Sequence, residues 1–307
     1  MYLSFLFRYS QFGQQYPLSY ATILMEINFS KYEGAGNDFI AIDMTSSDLD
    51  VTSEQLKSMC NRKTGIGADG VLVVQYSNMP GCKFKLMYHN ADGNEGSLCG
   101  NGSRCSLAFA ERNGLLDFRE KTHLIAFEAC DGIHTGGKVS ADVYFVHIKD
   151  VKLAEVRKID GNNYFLYNGS PHHVRFVENL AQTDVCGLGK EIRWEVYGTK
   201  GTNVNFVEVN SETPGQISVR TFERGVEDET HACGTGATAS AIAAFLRHQD
   251  SDGKLGECEA TPTSMTRTQV LMKGGTLEVS FKMNGEIFYD ICLRGPVRHV
   301  FDGKIVL

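Results

Sequence analysis

Residues 90–105 read N-A-D-G-N-E-G-S-L-C-G-N-G-S-R-C, and the fold is organised around the first cysteine of this stretch, Cys99. Glycines follow Cys99 at the first and third positions, and residues 106–112 then show the apolar spacing of a helix. The first N–H groups of a helix lack carbonyl partners within it, so a helix start favours negative charge. We therefore expect the Cys99 thiol to ionise more easily than a free thiol, whose pKa is about 8.5.

A second cysteine, Cys233, repeats this pattern later in the chain. It is followed by Gly234, Thr235 and Gly236, and residues 237–247 are small, apolar and strongly helix-forming. One such cysteine could be a matter of composition, but two C-G-x-G sequences that each open a helix indicate a functional pair. We expect the two cysteines to occupy equivalent places in two halves of the molecule and to face each other across a cleft.

Two facing thiols suit a reaction that inverts a carbon centre. One thiolate removes a proton from the carbon while the opposite thiol delivers a proton to the other face, and the two exchange roles in the reverse direction. The backbone N–H groups at Gly100, Asn101, Gly234 and Thr235 can hold a substrate carboxylate and disperse the charge that grows as the carbon loses its proton. The reaction needs no organic cofactor, and the sequence contains no motif for one.

Two other interpretations of the cysteines stay open on the residues alone. A single buried cysteine is more often structural than functional. A nucleophilic cysteine with a histidine partner is the second alternative, since His172, His173 and His231 are available and His231 lies two residues before Cys233. A nucleophile, however, leaves the second C-G-x-G sequence without a role.

Length and composition indicate a globular protein of two ordinary domains, because the chain has 307 residues, 42% of them hydrophobic and 22% charged. A net charge of -7 without a Lys/Arg cluster argues against a nucleic-acid surface, and no apolar run reaches membrane-spanning length. None of the nine cysteines is spaced C-x-x-C, so no metal site is predicted, and free thiols favour the cytoplasm. Residues 1–24 lack the features of a secretory signal and are interpreted as an N-terminal extension. The pattern does not fix the oligomeric state, and a homodimer is one compatible assembly.

The remaining chain alternates short strands, glycine-rich turns and a few helices. Residues 27–42 predict a hairpin around a glycine turn, and residues 52–61 predict a capped helix. The letters G-x-G-x-x-G at residues 65–70 are not a dinucleotide fingerprint, because a strand follows where a helix should. Further strands are predicted at residues 71–75, 84–88, 124–128, 139–141, 144–148, 163–167, 174–177, 203–209, 274–281, 287–293 and 295–307, with turns at 131–132, 136–137 and 169–173.

A duplication is visible in this order. Residues 203–209 resemble residues 36–42, with Phe206 matching Phe39, and each strand precedes a C-G-x-G helix. We therefore predict an α/β fold of two pseudo-symmetric halves, each a mostly antiparallel sheet around a central helix. The N-terminal half is expected to comprise residues 25–147 and 295–307 and to carry Cys99; the C-terminal half is expected to comprise residues 148–294 and to carry Cys233.

A charged pair lies just upstream of Cys233. Glu223 and Arg224 stand side by side and could receive the ammonium and carboxylate ends of an amino acid. In isolation, a solvated ion pair is the more common explanation for such neighbours.

Taken together, these motifs resemble the diaminopimelate epimerase family of cofactor-independent, two-cysteine epimerases. The resemblance runs from Met25 to the C-terminus and is carried by residues 31–39 (K-Y-E-G-A-G-N-D-F), 65–69 (G-I-G-A-D), 90–104, Gly169 with Pro171 and His172, 203–206, and 222–238 (F-E-R-G-V-E-D-E-T-H-A-C-G-T-G-A-T). It implies that each half is barrel-like. It also implies an enzyme that interconverts L,L- and meso-diaminopimelate in lysine and cell-wall precursor biosynthesis.

The resemblance further implies roles for single residues. Cys99 corresponds to the acceptor of the proton from the L,L substrate, and Cys233 to the proton donor. Substrate binding is implied for Asn37, Asn90, Asn203, Glu223 and Arg224, and for the backbone at Gly100, Asn101, Gly234 and Thr235. Gly70 and Ser170 stand where the family commonly has Gln and Asn, so they are substrate-binding candidates by position alone, and we expect distal recognition to differ here.

Two rival functions fit some of these motifs. A proline or hydroxyproline racemase shares the fold and the cysteine pair, but Glu223, Arg224 and the asparagines make sense only for a substrate with a second polar end. A non-catalytic binding protein has no need of two thiols.

Overall fold

One sheet of 18 strands, most of them antiparallel, dominates the computed structural model, which describes residues 26–46, 51–118, 124–251 and 264–307. The predicted extension at residues 1–24 lies outside the described residues. Within the described ranges, no helix combines the length and the apolar character needed to cross a membrane.

The elements follow one another in two similar series. The first series is β1 (Glu26–Gly34), β2 (Asn37–Asp43), α1 (Ser53–Cys60), β3 (Gly70–Gln75), β4 (Lys85–Asn90), α2 (Gly100–Arg112), β5 (Ile125–Ala129), β6 (Gly132–Ser140) and β7 (Val143–His147). The short strands β8 (Val151–Lys152) and β9 (Arg157–Lys158) follow. The second series is β10 (Asn163–Tyr167), β11 (Pro171–Phe176), α3 (Val185–Glu191), β12 (Asn203–Val209), β13 (Gln216–Glu223), β14 (Asp228–Thr230), α4 (Gly234–Ser251), β15 (Thr266–Met272), β16 (Gly275–Met283) and β17 (Ile287–Pro296). β18 (Arg298–Val306) is the last strand.

The two series pair their strands in the same way. In the first, β2–β3 and β4–β5 are parallel and the other neighbours from β1 to β7 are antiparallel. In the second, β11–β12 and β13–β15 are parallel and the other neighbours from β10 to β17 are antiparallel. α2 connects β4 to β5, and α4 stands in the equivalent connection between β13 and β15. The predicted α/β fold of two pseudo-symmetric, mostly antiparallel halves, each with a central helix, is therefore confirmed, and the strands of both halves belong to one hydrogen-bonded sheet.

The pairing corrects the predicted match between the halves. The sequence predicts that residues 36–42, which fall on β2, match β12. In the structure β12 instead corresponds to β3, because each is the parallel neighbour of the strand before it. The true counterpart of β2 is β11. The error has a physical cause, since β2 and β12 are both central strands with four or more successive buried residues, and such strands have similar apolar sequences.

Several local predictions also change. Gly136 and Gly137 lie inside β6 instead of in a turn. A Cβ atom at Gly136 would lie 2.7 Å from Cδ1 of Leu107, so the glycine allows α2 to pack closely against this strand. His172 and His173 lie on β11, not in the turn before it. The sequence analysis assigned no structure to α3, β13, β14 and β15.

The hydrophobic core is wrapped around the two central helices. Residues 100–110 of α2 are all buried. The largest apolar cluster takes side chains from both series, among them Leu107 of α2 and Ile242 of α4. β17 pairs with β16 on one side and β7 on the other, and β18 pairs with β1. The boundaries predicted between the two halves, after residues 147 and 294, stay a prediction.

Candidate active site

The starts of α2 and α4 meet at a cleft with a volume of about 1260 Å³. Gly100 and Gly234 are the first residues of the two helices, and a Cβ atom on Gly234 would lie only 3.6 Å from Cα of Gly100. The cleft is lined by every predicted site residue except Gly70, namely Asn37, Asn90, Cys99, Gly100, Asn101, Ser170, Asn203, Glu223, Arg224, Cys233, Gly234 and Thr235. The first-turn N–H groups of both helices lack carbonyl partners within their helix, which makes each helix start electropositive toward the cleft.

Cys99 is the N-cap of α2. Its Sγ accepts a hydrogen bond from the N–H of Gly102 at 3.4 Å, so the side chain closes the first turn of the helix. The same sulfur lies 3.8 Å from Oδ1 of Asn37. Cys99 is half-buried, on the wall of the cleft.

Cys233 directly precedes Gly234, the first residue of α4, and is buried at the foot of the cleft. Its Sγ lies 3.6 Å from the hydroxyl of Thr235. Cys99 and Cys233 thus border one cavity from equivalent helix starts, although 134 residues separate them in the sequence.

The expectation that the helix start lowers the pKa of these thiols is wrong. Burial raises the pKa of Cys99 to about 11, against the lowering effect of the Gly102 N–H, and the carboxyl of Glu223 raises it further. Burial and Glu223 also raise the pKa of Cys233, although the Thr235 hydroxyl lowers it. The free-energy cost of removing a thiolate from water is larger than the stabilisation by a few hydrogen bonds, so both groups are neutral thiols at pH 7.

A buried asparagine connects the two cysteine segments. Asn101 donates from Nδ2 to the carbonyl of Ala232, the residue before Cys233, at 3.3 Å, and also lies 3.4 Å from Oδ1 of Asn37. Its own Oδ1 accepts a hydrogen bond of 3.0 Å from Arg104. The amide side chain therefore fixes the start of α2 against the segment that leads into α4.

Arg104 is a residue that the sequence analysis missed. Its side chain is fully buried beneath the cleft and donates to the carbonyl of Gly100 at 3.3 Å as well as to Asn101. The available signal was a charged residue at the sixth position of the C-G-N-G-S-R sequence, because residues 100–110 of the helix contain no other charge. A buried cation at this point holds the helix start in place.

One wall of the cleft carries a network of acidic residues. Nδ2 of Asn37 donates to Oδ2 of Asp69 at 2.6 Å. Arg62 contacts Asp69 at 2.7 Å and makes two hydrogen bonds, of 2.6 and 3.0 Å, to Asp38. These contacts fix the amide of Asn37 beside Cys99.

Glu223 and Arg224 occupy different environments at the end of β13. Glu223 is half-buried, and burial raises the pKa of its carboxyl to about 7. Arg224 is exposed, its guanidinium donates to the carbonyl of Lys200 at 3.0 Å, and its backbone N–H donates to Oδ1 of Asn203 at 2.9 Å. Among the described ion pairs, none joins Glu223 to Arg224, so both charges stay available to a ligand.

The histidine alternative is not supported by the geometry. His172 and His173 are buried, and burial lowers their pKa values to about 3 and about 4. His231 is exposed at the cleft, but no hydrogen bond between a histidine and Cys99 or Cys233 occurs in the described part of the chain. These ranges also contain no group of three or more His, Cys, Asp or Glu side chains placed to hold a metal ion.

Gly70 and Ser170 differ in their access to the cleft. Ser170 is partly exposed and lines it, between β10 and β11. Gly70 is buried at the start of β3, and the ring of Tyr88, which does line the cleft, covers it. Tyr88 is a second residue that the sequence analysis did not single out.

Comparisons with known proteins give one consistent result. The family model for diaminopimelate epimerase matches residues 29–129 and 164–300. The chain is 41% identical over 280 residues to a diaminopimelate epimerase of Flavobacterium psychrophilum, covering 90% of this chain and 98% of that protein. Among solved structures, a PhzF-family phenazine biosynthesis protein of Bacillus anthracis has a TM-score of 0.67 at 14% identity, covering 92% of this chain and 100% of that one. A probable proline racemase of Agrobacterium radiobacter K84 has a TM-score of 0.66 at 14% identity, covering 92% of this chain and 93% of that one. At this identity the two structures share the fold alone.

Proposed function

Because the chain belongs to the diaminopimelate epimerase family, we propose that Cys99 and Cys233 are the acid–base pair with which it inverts the α-carbon of diaminopimelate. The protein is an epimerase that interconverts the L,L and meso forms of this amino acid, a step of lysine and cell-wall precursor biosynthesis. The observation that supports the proposal best is the position of both thiols on one cleft, at equivalent helix starts that touch each other.

The proposed reaction is a transfer of two protons. In the L,L to meso direction, the thiolate of Cys99 takes the α-proton, and the thiol of Cys233 gives its proton to the opposite face of the same carbon. Cys99 then carries the proton and Cys233 the negative charge, so the enzyme is set for the reverse direction. Because both thiols are neutral in the free protein, the Cys99 thiol must release its proton to solvent in the cleft as the substrate binds. The ammonium group next to the reacting carbon supplies the positive charge that stabilises the thiolate.

The helix starts stabilise the intermediate in this proposal. The N–H groups of Gly100 and Asn101 on one side, and of Gly234 and Thr235 on the other, bind the carboxylate of the reacting centre. Negative charge moves onto that carboxylate when the α-proton leaves, and two electropositive helix starts favour it without a cofactor.

The polar side chains of the cleft bind the rest of the substrate. We assign an ammonium group to Glu223, whose pKa near 7 falls when a cation binds beside it. The exposed guanidinium of Arg224 is suited to the distal carboxylate. Asn37, Asn90 and Asn203 supply amide groups between these charges.

The racemase alternative is less well supported. A probable proline racemase shares the fold, but its 14% identity carries no information on the substrate. Proline and hydroxyproline have a single amino-acid centre, whereas Glu223 and Arg224 offer charges for a second one.

Isotope exchange with single cysteine variants tests the proposal. Purified, reduced protein in heavy water should place deuterium on the α-carbon of diaminopimelate. Cys99→Ala and Cys233→Ala should each lower the rate of epimerisation by more than the roughly 10²- to 10⁴-fold typical of one acid–base group, because each thiol acts in both directions. Cys105→Ala is the matched control, since Cys105 is a buried thiol of α2 that packs in the core. Near-normal epimerisation in either cleft variant contradicts the pairing, and absence of label with the unmodified protein contradicts the activity.

Two further predictions belong to the whole protein. A cytoplasmic location and a homodimer are compatible with the free cysteines and with the biosynthetic role. Light scattering of the purified full-length chain distinguishes a monomer from a dimer.

A further inference from the structure

The ring of Tyr88 fills the space above two glycines. A Cβ atom at Gly70 would lie 2.6 Å from Cε2 and 3.2 Å from Cζ of Tyr88, and 2.5 Å from the carbonyl oxygen of His89. A Cβ atom at Gly96 would lie 2.7 Å from Cδ1 and Cε1 of the same ring. Because these distances are shorter than van der Waals contacts, position 70 has no room for a side chain beside the ring and the His89 backbone.

Tyr88 is held firmly in this place. It lies on β4 opposite Leu72 of β3, and its ring meets Phe39 edge to face with ring centroids 6.1 Å apart. Cζ, the carbon that bears the hydroxyl, is close to Gly70, so the polar end of the ring lies at the very place where a side chain of residue 70 would begin.

The hydroxyl of Tyr88 is available to a ligand. Tyr88 lines the cleft, and no hydrogen bond between its hydroxyl and another part of the described chain is formed. Burial raises its pKa, and repulsion from the ionised forms of Cys99, Glu223 and Asp69 raises it further, so the phenol stays neutral at pH 7. A neutral phenol surrounded by groups that are or can become anionic is complementary to a cation, which it binds through the lone pairs of its oxygen.

We propose that the Tyr88 hydroxyl binds an ammonium group of the substrate, together with Glu223, and that it supplies the polar contact that a side chain at position 70 cannot make in this chain. The inference rests on the proposed function and adds a specificity-determining residue to it. Tyr88 takes no proton from the reacting carbon; it orients the substrate.

Tyr88→Phe tests this directly, because it keeps the ring over Gly70 and removes only the oxygen. A hydrogen bond to a charged group is worth roughly 1.5–3 kcal/mol, so KM for diaminopimelate should rise about 10- to 100-fold while kcat and the melting temperature change little. Tyr76→Phe is the matched control, since Tyr76 is exposed and lies outside the cleft lining.

Gly70→Ala tests the spatial part of the inference. The added methyl group would lie 2.6 Å from Cε2 of Tyr88 and 2.5 Å from the carbonyl oxygen of His89, so it should displace the ring, raise KM and lower the melting temperature. A Gly70→Ala variant with unchanged KM overturns the idea that the space beside Gly70 holds the ring in its binding position.

The outcomes separate the two proposals. If the unmodified enzyme turns over diaminopimelate and Tyr88→Phe shows the same KM, the inference about Tyr88 is overturned and the cysteine mechanism stands. If the unmodified enzyme shows no turnover, the proposed function fails, and the role of Tyr88 fails with it.

Discussion

Replacing Glu223 with Gln should make the protein more stable while it removes epimerisation. Burial beside the cleft raises the pKa of this carboxyl from 4.5 to about 7, so the folded protein disfavours its ionised form. A glutamine has nearly the same shape and no charge to bury. Function requires the charge, because the proposed partner of Glu223 is an ammonium group.

The size and sign of the effect follow from the two pKa values. The difference of about 2.5 between the two pKa values corresponds to about 3.5 kcal/mol at roughly 1.4 kcal/mol per pKa unit. Because the side chain is only half-buried, solvent screening lowers this to at most about 3 kcal/mol. The folded state binds the proton more tightly than the unfolded chain does, so this contribution to stability is complete below about pH 4.5 and is lost as the pH rises through about 7. The Gln variant does not suffer that loss. Its advantage over the unmodified protein should therefore be near zero at pH 4.5 and reach up to about 3 kcal/mol at pH 8.

Urea denaturation at several pH values between 4.5 and 8 measures this difference. Glu229→Gln is the matched control, because hydrogen bonds from Arg220, at 2.8 Å to each oxygen, lower the pKa of Glu229. That variant should be less stable than the unmodified protein at pH 8, by about 1–2 kcal/mol. If Glu223→Gln is no more stable at pH 8, or if its advantage does not depend on pH, the argument from burial is refuted.

Two further predictions concern the cleft. With its pKa raised to about 11, Cys99 should react with iodoacetamide slowly at pH 7, and the rate, followed by mass spectrometry, should increase nearly tenfold per pH unit between pH 7 and 10; a rate that levels off below pH 8 contradicts the raised pKa. Gly274→Ala would place a Cβ atom 2.0 Å from the carbonyl oxygen of Ala35, and because backbone cannot rotate away, the variant should unfold at least about 2 kcal/mol more easily in urea. Gly161→Ala, at a glycine with open space around it, should be close to neutral.

The elements that the sequence predicted are those with strong local signals. The helix α1 begins with a capping box between Thr52 and Gln55. Residues 27–42 form the expected hairpin of β1 and β2. The helix α3 was missed because two glycines in seven residues weaken its helical signal, and a π-helical turn, Ile192–Val196, follows it. Local sequence could not show this helix, since tertiary packing stabilises it.

The residues of the candidate site also differ in how far local sequence could predict them. The position of Cys99 and Cys233 on one cleft could be predicted because each cysteine directly precedes glycines at a helix start, and their catalytic role stays a prediction. Arg104 and Tyr88 were missed because their importance depends on contacts across the fold: Arg104 with the carbonyl of Gly100, and Tyr88 with the backbone of Gly70. The predicted pKa of the cysteines was wrong for a related reason, since burial is a property of the folded molecule and no spacing of residues reports it.

The corrected match between the halves explains how a symmetric framework can bind its substrate in a single orientation. α2 and α4 are equivalent, so they supply the same chemistry to both faces of the reacting carbon. The strands around them carry different residues at equivalent positions. The last residue is Asn90 in β4 and Glu223 in β13, and the first residue is Gly70 in β3 and Asn203 in β12. The two halves of the cleft therefore differ in their charges: Asp38, Asp69 and Arg62 line the first, and Glu223 and Arg224 line the second. In the proposed mechanism, this difference favours one orientation of a substrate with two polar ends, and that orientation decides which thiol faces the α-proton.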